Sequence, residues 1–101
     1  MLVISARVQM DPAKRDEAQK AALAMMAETL KEPGCNEYVF TADLEDPGVF
    51  RIFEEWEGPE ALAAHFKAPH MATFQAAMGG FGIVGMDAHQ YTVTEKGPIG
   101  G

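Results

Sequence analysis

Residues Val49 to Met78 read VFRIFEEWEGPEALAAHFKAPHMATFQAAM, and the period of their apolar residues changes on the way. From Val49 to Glu57 the pattern is that of a strand, with Phe50, Ile52, Glu54 and Trp56 sharing one parity. Gly58-Pro59 breaks it and opens a helix that carries His65; Pro69-His70 opens a second helical piece with Met71, Phe74 and Met78. The only Trp and two of the three His fall within fifteen positions, beside a broken helix rich in Ala and Met. A small domain lines an apolar pocket with a few polar groups in this way.

Upstream, Asp46-Pro47-Gly48 is a turn signal, so Asn36 to Leu44 is expected to pair with the Val49 strand as a hairpin, placing Tyr38, Phe40, Ala42 and Leu44 on one face. Leu2 to Met10 alternates as well, with Leu2, Ile4, Ala6, Val8 and Met10 on its apolar side. Asp11-Pro12 supplies an N-cap and first-turn proline for a helix over about Pro12 to Lys31. That helix places Ala18, Ala21, Ala22, Met25, Met26 and Leu30 inward, and Pro33-Gly34 stops it. Downstream, Gly79 to Gly82 reads as a flexible joint and Ile83 or Val84 to Thr94 as the last strand.

The order β-α-β-β-α-β predicts an α+β, ferredoxin-like fold: one domain over residues 1–101, a structured core to 94 and a loose tail from 95. One sheet with helices on a single face leaves the other bare, with Val3, Val39, Val49 and Phe53 among polar residues. Packing that face against a second copy predicts a homodimer. Arg7 and Arg51 fall on the same face, where an ion pair with Glu55 or Glu57 is their expected role.

The net charge of −7 and the scattered Lys and Arg argue against nucleic-acid binding. No stretch is long enough to span a membrane, and Met1 to Met10 has neither a basic start nor a continuous apolar run, so a cytoplasmic protein is expected. The single Cys35, next to Asn36 and Glu37, has no cation to activate it and reads as structural. His65-x4-His70 crosses a helix break, with no carboxylate at matching spacing; no metal and no cofactor are expected.

The Pro33-Gly34-Cys35 turn, the Glu54-Glu55-Trp56-Glu57 strand end, the Glu60-Ala61-Leu62-x-x-His65 helix and the Pro69-His70-Met71-x-x-Phe74 restart resemble the antibiotic biosynthesis monooxygenase family, closest to its short quinol monooxygenase-like members. The resemblance runs from about Met1 to Thr94 and implies a dimeric α+β barrel. Polyketide-oxidising members are similar at Trp56, but where they carry an Asn, a Tyr and an Arg this chain has Ile52, Leu62 and about Ala76. At the positions used by haem-degrading members it has about Ala6, His65 and Gln75, with no axial ligand in place.

The expected catalytic residues are His65, Trp56 and His70. An imidazole titrates near neutral pH and can take a phenolic proton, and a Trp N–H can hold a substrate oxygen. Each has a plainer role open to it: a core aromatic for Trp56, and a cap or bridge between the helical pieces for the two His. Tyr38, Phe40, Glu54, Phe74 and Met78 are expected to bind substrate, with Glu54 as an inward carboxyl whose pKa burial would raise. His89 is expected to be merely exposed.

These residues suggest a cofactor-independent monooxygenase acting with O2 on a small apolar or aromatic molecule, a quinol or phenol. Two alternatives remain at this point. One is isomerisation or turnover of a small, phosphorylated sugar-like metabolite, which would call for a Lys or Arg in the pocket. The other is a non-catalytic dimeric module, whose cavity would fit a ligand without either His touching it.

Overall fold

The computed structural model describes residues 1–101, which form four strands and three α-helices. They are β1 (Leu2–Gln9), α1 (Arg15–Thr29), β2 (Cys35–Ala42), β3 (Val49–Trp56), α2 (Pro59–Phe66), α3 (Pro69–Met78) and β4 (Gly85–Thr92). The sheet order is β2-β3-β1-β4, with every neighbouring pair antiparallel. This is the α+β ferredoxin-like arrangement expected from the sequence.

Local chemistry explains where the elements start and stop. Asp11 caps as expected, its Oδ1 accepting from the Ala13 N–H at 3.0 Å, but Pro12–Lys14 forms a 3-10 turn and the α-helix begins at Arg15. Strand β2 ends at Ala42 because the Asp43 carboxylate takes the N–H groups of Glu45 and Asp46 at 3.1 and 3.0 Å, turning the chain. Leu44, expected on the strand, therefore lies in the hairpin loop and is fully exposed. Helix α1 buries Ala18, Ala22, Met25 and Thr29 at helical spacing; Leu30, expected inside, lies past the helix end and is exposed.

The register sets out the inner face in rows. Tyr38, Glu54, Ile4 and Gln90 form one row; Phe40, Ile52, Ala6 and Ala88 form the next. Helices α1 and α3 pack on each other, with α1 over β2 and α2 over β3, so cover is concentrated on one half of the sheet. Two clusters fill it: Val8, Met10, Phe50, Ile52 and Phe81 with Ala6 and Ala18, and Leu2, Met25, Tyr38, Trp56 and Leu62. The glycine-rich joint expected at 79–82 is anchored, since Phe81 is buried in the first cluster and the Asp11 N–H bonds to the carbonyls of Phe81 and Gly82.

The opposite face carries Val3, Val39 and Phe53, as expected, but Val49 at its end is buried. Arg51 pairs with Asp43 at 3.3 Å, and Glu55 with Lys96 at 3.3 Å, in place of the expected arginine–Glu55 or –Glu57 pairs. No helix is long and apolar enough to cross a membrane.

Candidate active site

A cavity of about 380 Å³ lies over the two central rows, beneath α3 and the end of α2. Its floor is Ile4, Ala6, Tyr38, Phe40, Ile52 and Glu54, with Met86, Ala88, His89 and Gln90 at the β4 edge. Met71, Phe74, Gln75 and Met78 close it from α3, spaced three or four residues apart on one helix face, with Phe66 from α2. Ala6 at the centre of the floor leaves the room that a larger inward side chain would fill. All five expected substrate-binding residues, Tyr38, Phe40, Glu54, Phe74 and Met78, meet in this wall. No Lys or Arg lines it; Arg7 and Arg51 lie on the other face of the sheet.

The three expected catalytic residues lie elsewhere. Trp56 has 0% exposure, and its indole N–H, expected to be free for a substrate, donates to Glu54 Oε1 at 3.0 Å. His65, 1% exposed, packs against the Trp56 and Tyr38 rings at centroid distances of 4.8 and 5.4 Å. It is thus one ring behind the cavity wall, in contact with Tyr38 and Phe66, which do line the wall. His70 lies on the far side of α3, in a groove between α3 and α1 with Ala21, Ala24 and Thr73.

What joins the two His is a residue the sequence reading missed. Glu32, in the turn after α1, brings one oxygen, Oε2, to 2.7 Å from His65 Nδ1 and 2.6 Å from His70 Nε2. The bridge expected between the helical pieces is made by a carboxylate from the turn after α1. A carboxylate does therefore join the pair, contrary to the sequence expectation, and the three donor atoms lie within 4.8 Å of one another. The other His65 nitrogen, Nε2, is buried without a partner. His89 is exposed, as expected, but it is not merely so: it stands at the β4 edge of the cavity and pairs with Asp87 at 3.0 Å.

Burial sets the electrostatics. Glu54 is pushed above the usual carboxylate range by loss of hydration, partly offset by the Trp56 N–H and by His65. The Tyr38 hydroxyl is raised by burial and by the nearby Glu54 and Glu32. Cys35 is pushed up to about 11 by burial and the same two acids, which suits a structural thiol. The cavity thus offers an apolar slot, a phenol and a carboxyl with an elevated pKa.

The family model described as antibiotic biosynthesis monooxygenase matches residues 1–77, covering the cavity floor and most of α3. The chain belongs to this family. Among solved structures, the family protein from Deinococcus radiodurans named "putative antibiotic biosynthesis monooxygenase" superposes with a TM-score of 0.90 at 22% identity, over 100% of both chains. One from Caulobacter crescentus CB15 with the same printed name gives 0.87 at 26%, over 93% of this chain and 90% of that one. A conserved protein of unknown function from Bacteroides thetaiotaomicron, called a "possible oxidoreductase", gives 0.81 at 29%, over 89% and 94%. No curated protein matches the chain.

Proposed function

We propose that this family member is a cytoplasmic, homodimeric, cofactor-independent monooxygenase that oxidises a small quinol or phenol with O2. The observation that carries the reading is the cavity itself, apolar on most of its wall, with Tyr38 and Glu54 converging on it. Its volume of about 380 Å³ falls in the range of small-molecule sites, roughly 300–1,000 Å³. An electron-rich aromatic fits against Phe40, Phe74 and Met78, its hydroxyl toward Tyr38 and Glu54.

The chemistry needs a base and a dry slot. Glu54, which touches the cavity where His65 and His70 do not, takes the phenolic proton; its raised pKa makes it a stronger base than an ordinary carboxylate. The resulting phenolate gives an electron to O2, and the two radicals combine at a ring carbon as a peroxide anion, which takes the proton back from Glu54 to become a hydroperoxide. Loss of water then leaves a hydroxyquinone. For a hydroquinone the balance is quinol plus O2 giving hydroxyquinone plus water, with all four electrons drawn from the substrate. The bare sheet face bearing Val3, Val39 and Phe53 is the proposed dimer surface, which light scattering on the purified protein tests.

Oxygen uptake with a panel of benzo- and naphthohydroquinones tests the activity. Wild type is expected to consume one O2 per quinol, and Glu54→Leu to lose at least tenfold in kcat. One observation favours a second reading: neither His65 nor His70 lines the cavity, which fits a ligand-binding module without chemistry. Binding of the hydroquinones with no uptake above the buffer rate would establish that reading and end the first. The absence of any Lys or Arg from the wall counts against a phosphorylated substrate.

A further inference from the structure

The Glu32–His65–His70 cluster lies outside the cavity wall, and the oxidation just described does not use it. Its geometry separates two chemistries. Donors around a tetrahedral zinc with bonds of about 2.0–2.1 Å stand roughly 3.3 Å apart. Here both imidazole nitrogens meet a single carboxylate oxygen at 2.7 and 2.6 Å, which are lengths of charge-assisted hydrogen bonds. A carboxylate oxygen has only lone pairs to offer, so the proton lies on Nδ1 of His65 and on Nε2 of His70. The consequence falls on the other end of His65. Its Nε2 then holds a bare lone pair, buried without a partner, against the Tyr38 and Trp56 rings.

We propose that Glu32 is a positioning residue that locks His65 and His70 into one acid–base unit and keeps His65 Nε2 as a proton acceptor behind the cavity wall. An orphaned acceptor in the interior is costly, so the lock that holds it there has to be strong. In the oxidation proposed above, on which this role rests, the proton taken by Glu54 has to be held until the peroxide takes it back, which calls for an acceptor nearby. His65 is that acceptor, and Glu32 stabilises the imidazolium that forms. His70, 20% exposed where His65 is 1% exposed, connects the unit to the groove on the solvent side of α3. The charged and titratable groups facing His65 are Glu32 from the turn, Glu54 from β3, Tyr38 from β2 and His70 from α3.

The test reads the tautomers directly. Long-range 1H–15N correlation spectra of the wild-type protein at neutral pH are expected to show His65 protonated at Nδ1 alone and His70 at Nε2. Glu32→Ala should release both rings to mixed tautomers, while His70→Ala leaves the His65 pattern intact. Glu32→Gln, which keeps the shape, should lower kcat for quinol-dependent oxygen uptake about tenfold or more at unchanged KM. A merely structural role for Glu32 would leave both the tautomers and the kcat-against-KM split where they are. Wild-type His65 protonated at Nε2 would overturn the proposal. So would stoichiometric binding of Zn2+ or Co2+ that Glu32→Gln abolishes. If no quinol supports oxygen uptake, the oxidase reading fails, and the tautomer measurement still decides the role of Glu32.

Discussion

Replacing Trp56 by phenylalanine tests how the cavity carboxyl is held. The indole is fully buried, and its N–H is the hydrogen-bond donor to Glu54 Oε1 at 3.0 Å. A phenyl ring in its place would leave that acceptor unpaired in the interior, which costs about 1–3 kcal/mol. The smaller ring also leaves a void beside Leu2, Met25 and Leu62, adding about 1–2 kcal/mol. The expected loss is therefore about 2–5 kcal/mol, a Tm fall of roughly 10–25 °C for a domain of this size. Thermal and urea unfolding measure it, in a double-mutant cycle with Glu54→Leu. Coupling of at least about 1 kcal/mol between the two changes is expected.

The pH dependence carries a sign of its own. Glu54 is raised by burial and lowered by the Trp56 N–H, so the folded state holds this proton more tightly than the unfolded chain does. Its contribution to stability is fully present below the unfolded Glu pKa and lost as pH rises through the raised folded one. Removing the indole donor raises the folded value further, so Trp56→Phe should cost more at pH 7 than at pH 4. Additivity of Trp56→Phe and Glu54→Leu within about 0.5 kcal/mol, or an equal cost at both pH values, would refute the hydrogen-bond reasoning.

Gly34 has φ +81°, and a Cβ there would meet the Ala61 Cβ at 2.7 Å; Gly34→Ala should cost about 2–4 kcal/mol, read by urea unfolding. Leu62→Ala removes a buried side chain from the Trp56 cluster and should cost about 2–5 kcal/mol in the same assay. With Cys35 pushed up to about 11, its thiolate fraction at pH 8 is roughly a hundredfold below that of the unfolded chain. A disulfide reagent should therefore modify the native thiol far more slowly than the urea-unfolded one. Equal rates would show that burial does not control this thiol.

Much of the cavity was legible because parity and helical spacing are local rules. Tyr38, Phe40, Glu54, Phe74 and Met78 share inward positions on β2, β3 and α3, and any hairpin followed by a covering helix brings such positions together. Leu44 and Leu30 were misplaced where a side chain and a helix end overrode the pattern: Asp43 turned the chain at one, and α1 stopped at Thr29 before the other. Glu32 left no periodic trace. It lies in a turn, 33 and 38 residues from the imidazoles it joins, and only the close approach of Gly34 to Ala61 hints that this turn reaches α2.

By itself the sequence determined the β-α-β-β-α-β order, the face each strand turns to the helices and the family, because period and turn chemistry act over a few residues. The tertiary structure alone decided which polar groups are free to act. It tied the Trp56 N–H to Glu54, set both His behind the cavity, and left Glu54 and Tyr38 in its wall. Hydrogen-bond partners depend on distances between elements far apart in the chain, and folding is what fixes those distances.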